Sequence, residues 1–193
     1  AHRSTARRVS RRSFPQALIA AASPLAGSAR AETKAPVILG IDGEFGLQNS
    51  TSAQAIELGV KIAADQINAA GGVLVGRPLH IVTKDHRSIP ARGIRNIEEF
   101  AAMPELVAIF GGRFSPVVIE QLPALKQAHI PFLAVWSSAD AIVDNGTKPN
   151  YAFRLSLRDS LAMPFMMDTC RKQGIEQVGL LLTNTSWGRS NLA

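Results

Sequence analysis

From Val37 onward the chain repeats one pattern: a short continuous apolar run, then a segment whose apolar residues recur at helical spacing. The runs are Val37–Asp42, Leu79–Lys84, Leu106–Phe110, Ile130–Val135, Tyr151–Leu155 and Val178–Thr183. Set among them are the helical segments Ser52–Ala70, Pro90–Met103, Ser115–Ala128 and Asp159–Gln173. Continuous apolar strands belong in a sheet covered on both faces. Strands joined through single helices run parallel, with right-handed crossovers. The pattern predicts an α/β fold with a doubly wound parallel sheet.

Local signals agree. Ile56, Val60, Ala63, Ile67 and Ala70 fall on one helical face, and Glu57, Lys61 and Asp65 on the other. Gly71-Gly72 ends that helix. Ser115 suits an N-cap and Pro116 the first helical position, while Pro123 predicts a kink. No apolar run is long enough to cross a membrane as a helix.

A formal charge of +6 hints at nucleic acid, but its distribution removes the hint. Residues 1–31 hold six arginines (Arg3, Arg7, Arg8, Arg11, Arg12 and Arg30) and no acid. Without those six, 15 of the 21 basic residues remain against 15 acidic ones, so the body is neutral. A neutral body gives no footprint for a phosphate backbone, and no nucleic-acid partner is expected.

Residues 1–31 read as an export signal. A basic stretch precedes the apolar Ala17–Ala29, and Ala29-Arg30-Ala31 forms a small-x-small site with cleavage expected after Ala31. Ser10-Arg11-Arg12-Ser13-Phe14 resembles the twin-arginine signal, which predicts a periplasmic body. The chain opens on Ala1, so its true start is expected upstream. The lone Cys170 excludes an internal disulfide; in its helix beside Met166 and Met167 it reads as a buried structural thiol.

A doubly wound sheet binds ligands at the carboxyl ends of its strands. The loops there are Gly43–Thr51, Asp85–Ile89, Gly111–Ser115, Trp136–Asp140 and Asn184–Gly188. Gly40-Ile41-Asp42-Gly43-Glu44-Phe45-Gly46 lacks the close first glycine pair of a dinucleotide site. Neither a P-loop nor a Gly-x-Ser-x-Gly elbow occurs. His80, His86 and His129 lack metal-ligand spacing and read as loop and surface residues. Asp85 and His86, adjacent on an extended segment, point apart and read as solvated loop charges rather than a base and its orienter. No metal, cofactor or catalytic group is expected.

Polar groups at helix starts remain. Ser115 is placed to meet an anion, to cap its helix, or both. Trp136-Ser137-Ser138 offers two hydroxyls and an apolar wall, although Trp136 also suits packing under the loop. Trp187 is placed either to close over a ligand or to anchor the next helix.

Several segments, taken in order, carry a resemblance. They are Ala55 to Val73 (through Ile67-Asn68-Ala69-Ala70-Gly71-Gly72), Gly76-Arg77-Pro78-Leu79, Phe110-Gly111-Gly112, Ile130-Pro131-Phe132-Leu133 and Thr185-Ser186-Trp187-Gly188-Arg189-Ser190. Ala35 to Ala193 resembles the N-terminal part of type I periplasmic substrate-binding proteins of ABC transporters, in particular the branched-chain amino-acid (Leu/Ile/Val) group. The resemblance implies two α/β lobes with ligand between them. Residues 35–155 would form the first lobe, 156–193 would begin a second, and the remainder would lie beyond Ala193. By position Ser115 and Ser138 match the hydroxyls that hold an α-carboxylate. Trp136 or Ser137 matches the carbonyl that receives the ammonium, and Trp187 the aromatic that closes over the ligand. The acid pairing with the ammonium would lie beyond Ala193. Pro116 stands where a second serine is frequent, and relatives also take amides, urea and aromatic acids. The implied partner is a membrane permease. A ligand-sensing module of the same fold and an α/β enzyme are the alternatives.

Overall fold

The computed structural model describes residues 34–48 and 50–192. The export-signal expectation for residues 1–31 lies outside them. The described body is one unit built on five strands: β1 (Val37–Gly43), β2 (Leu79–Asp85), β3 (Leu106–Gly111), β4 (Phe132–Ala134) and β5 (Ala152–Arg154). Their order in the sheet is β2-β1-β3-β4-β5, and every pairing is parallel. Helices α1 (Thr51–Ala69), α2 (Pro90–Ala101) and α3 (Ser115–Ala128) make the first three crossovers. α4 (Asp159–Lys172) and α5 (Ser186–Ser190) follow the sheet. No described helix is both long and apolar enough to cross a membrane.

The order reverses at β1. From β1 the chain crosses through α1 to β2, then returns past β1 through α2 to β3. With right-handed crossovers, α1 therefore covers one face and α2 and α3 the other. On the latter face, Ile97 and Phe100 of α2 and Val118 and Leu125 of α3 bury Ile109, Phe132, Ala134 and Ala152 of the sheet. This is the doubly wound sheet that the alternation predicts, and the reversal marks the gap between β1 and β3 as its switch point.

Three expectations need correction. Val178–Thr183 forms no strand among the described residues, and its side chains are mostly exposed. A strand exists only through a ladder, and no described strand lies beside this segment. α1 buries Ser52, Ala53, Ile56 and Ala64, whereas Ala63, Ile67 and Ala70 on the expected face are exposed. The buried stripe runs through Ile56 and Ala64 rather than Ala63, and past Ala64 no residue of the helix is buried. Ser115 is not the N-cap of α3: Phe114 takes that position, and Ser115 begins the helix, which runs on through Pro123.

Candidate functional site

The carboxyl ends of β3 and β4 open into a cleft of about 530 Å³. One wall comes from the β3–α3 turn and the loop after β4. The other comes from the opening of α4 and the Thr183–Trp187 turn. Four residues singled out from the sequence line it: Ser115, Trp136, Ser138 and Trp187.

Each is positioned by an identifiable contact. Ser115 is buried, and its Oγ accepts a long 3.4 Å hydrogen bond from the Ala139 amide, leaving its own hydrogen free to donate. Trp136, at 55% exposed, stands in the cleft rather than under its loop. Trp187 reaches across from the other wall, where its Nε1 donates to Ser138 Oγ at 2.9 Å. Arg154 pins the loop between them by donating to the Ser138 and Ala139 carbonyls.

Ser137 is placed differently. It is fully buried outside the lining, and its Oγ donates to the Gly112 carbonyl at 2.7 Å. Its carbonyl already accepts from Ser156 Oγ at 2.7 Å. Ser137 thus ties the loop after β4 to the turn after β3.

The lining also contains Arg113, Ser156, Asp159, Thr183 and Thr185, which the motif reading did not single out. Asp159 is buried, and its Oδ2 has no hydrogen-bond partner among the described residues. As an acid opening a helix it reads in sequence as an ordinary favourable end charge. Only the fold brings it beneath the loop after β4.

A second polar cluster sits at the switch point. Glu44, just after β1, is fully buried; its Oε1 accepts from Ser52 Oγ at 3.0 Å and from Arg113 Nε at 3.1 Å. His86 Nε2 faces Glu44 Oε2 at 3.6 Å, while His86 Nδ1 accepts from the Ser88 amide at 3.0 Å. That bond puts the neutral ring's proton on Nε2, toward Glu44. Burial holds the His86 pKa below its ordinary value, against the pull of Glu44 and Asp85. His86 is thus a buried residue, not a surface one. Asp85 beside it is half-buried and pairs with Arg87; burial pushes its pKa up, but hydrogen bonds from the Arg87 and Gly46 amides and the Arg87 guanidinium outweigh it and hold the pKa down. His80 and His129 are exposed as expected, and Cys170 is half-buried rather than buried because α4 buries only Asp159. No cluster able to hold a metal ion occurs among the described residues.

Gly111-Gly112 leads from β3 into the turn that lines one wall, and the opposite wall carries the Trp187-Gly188-Arg189 turn. Compared with known families, residues 32–193 match the one described as periplasmic binding protein. The chain belongs to this family. Among solved structures, an ABC transporter substrate-binding protein from Desulfitobacterium hafniense, in complex with Leu, is 25% identical with a TM-score of 0.70. The match covers 81% of this chain and 45% of that one. A possible leucine/isoleucine/valine-binding protein from Rhodopirellula baltica SH 1 shares the fold at 19% identity and TM-score 0.74, covering 84% and 43%. A solute-binding protein of an R. palustris ABC transporter, in complex with 4-hydroxybenzoate, shares it at 18% and 0.69, covering 81% and 41%. The chain thus spans less than half the length of each of these periplasmic binding proteins. No curated protein sequence matches it.

Proposed function

We propose that this chain is the ligand-holding part of an extracytoplasmic solute receptor serving an ABC importer, and that it takes a small amino acid or a related amide or acid. Residues 35–155 are the first lobe and 156–193 begin a second, with Ser115, Trp136 and Ser138 facing Trp187 between them. Ser137 supports this site from behind. The observation that carries the reading is the contact of Trp187 with Ser138 across a cleft lined by hydroxyls and aromatic rings. Such a lining suits a small ligand with both an apolar body and polar ends. Closure of two lobes around it is the mechanism, and a membrane permease is the partner. Residues 1–31 direct the protein to the periplasm by the twin-arginine route.

A thermal-shift panel on the complete gene product, with its signal removed, tests this. The panel holds L-leucine, other L-amino acids, short amides, urea and 4-hydroxybenzoate. A ligand of the folded state raises the unfolding midpoint with concentration. One class is expected to do so, and Ser115→Ala to weaken it about tenfold, as expected for the loss of one hydrogen bond. A flat response to every compound would rule out amino-acid and aromatic-acid uptake.

A further inference from the structure

Among the described residues Arg113 is the only cation lining the cleft, and its side chain is 49% exposed there. Its Nε edge is committed to the buried Glu44, and its two Nη groups have no hydrogen-bond partner among the described residues. A guanidinium held by one edge presents the other in a fixed plane, the geometry that meets a carboxylate through two parallel bonds. The neighbouring helix start cannot take that role. Pro116 has no N–H, and the Val117 and Val118 amides already donate to the Phe114 carbonyl at 3.0 and 3.3 Å. Of the amides opening α3, that leaves Ser115's, beside its hydroxyl. Arg113 supplies the donors that Pro116 and the satisfied amides withhold.

We infer that Arg113 is a specificity-determining residue that makes the cleft select ligands bearing a carboxylate, with Glu44 as its positioning residue. This rests on the cleft being the ligand site. The Arg113–Glu44 pair is formally neutral, so discrimination comes from directed hydrogen bonds rather than net charge. A carboxylate accepts from both Nη groups. The amide of the same acid turns an NH2 toward one of them and forfeits that bond.

The test is calorimetric titration of the complete gene product with matched pairs: 4-hydroxybenzoate against 4-hydroxybenzamide, and L-leucine against L-leucinamide. The wild type is expected to take at least one acid tenfold or more tighter than its amide. Arg113→Gln is expected to bring that ratio close to one. Arg113→Lys keeps a charge beside Glu44, guards against unfolding, and is expected to retain part of the preference. Glu44→Gln should weaken acid binding severalfold and leave amide binding unchanged, whereas a merely structural loss would weaken both alike. A preference that survives Arg113→Gln, or a wild type indifferent between acid and amide, overturns the assignment. Amides bound with acids refused would remove Arg113's role and leave the cleft standing. Neither class bound would remove both.

Discussion

Gly188→Ala is expected to weaken ligand binding roughly a hundredfold while leaving the sheet core intact. A Cβ at position 188 would lie 1.9 Å from the Thr183 carbonyl oxygen and 3.0 Å from its carbon. Both atoms are backbone, so no side-chain rotation relieves the clash. The turn is already tight: the Thr185 amide donates to that same oxygen at 2.8 Å, and Gly188 N–H is capped by Thr185 Oγ1 at 3.3 Å. The added methyl must therefore push α5 away from Thr183 and carry Trp187 with it. The cleft then loses an aromatic wall and the bond to Ser138, together about 2–3 kcal/mol, or roughly 30- to 150-fold in affinity. Trp187→Phe keeps the ring and loses only the N–H, so a severalfold effect is expected. Titration of both variants with whichever panel compound the wild type takes makes the comparison. Wild-type affinity in Gly188→Ala would remove Trp187 from the site.

The fold was legible because continuous apolar runs and helical spacing are both local signals. Val37–Gly43, Leu79–Asp85 and Leu106–Gly111 sit within a residue of their sequence boundaries. Val178–Thr183 misled because its apolar pattern says nothing about whether a neighbour exists to pair with it. Ser115, Trp136 and Ser138 were legible because the topology of such a sheet gathers the ends of β3 and β4 together, whereas Trp187 enters the cleft from a turn that follows no described strand. Ser137 was not separable from Ser138 by pattern, because alternation decides only that one faces in and the other out. The buried charges were the least legible. Glu44 and Arg113 are 69 positions apart, and Asp42 and Gln121 are 79 apart. No local pattern couples them, and an acid after a strand reads as solvated until its partners are known. Glu44 and His86 became buried partners only through the pairing of β1 with β2, which sets Gly43 against Asp85.

Asp42 supplies the largest expected stability effect. It lies on β1 at the α2–α3 face, almost fully buried, and accepts from Asn96 Nδ2 at 2.6 Å and from Gln121 Nε2. Burial outweighs these bonds and raises its pKa from 3.8 to about 7. In the window between those values the folded protein holds a proton that the unfolded chain has released. Stability therefore falls as pH rises from about 4 to 7, and above 7 the full cost of the buried charge is present, about 4 kcal/mol. His86, with its lowered pKa, acts in the opposite sense: the unfolded chain protonates first as pH falls through 6.5, and stability is lost on that side. The wild-type profile is thus a compromise, and the difference between two proteins isolates Asp42. Asp42→Asn stays neutral at every pH, and a half-turn of the Gln121 amide lets it keep both hydrogen bonds. Urea unfolding of the complete gene product is expected to give near-equal stabilities for the two at pH 4 and a variant several kcal/mol more stable at pH 8. A gap that does not widen with pH would mean that Asp42 is ionised throughout, held by its two amide donors against burial.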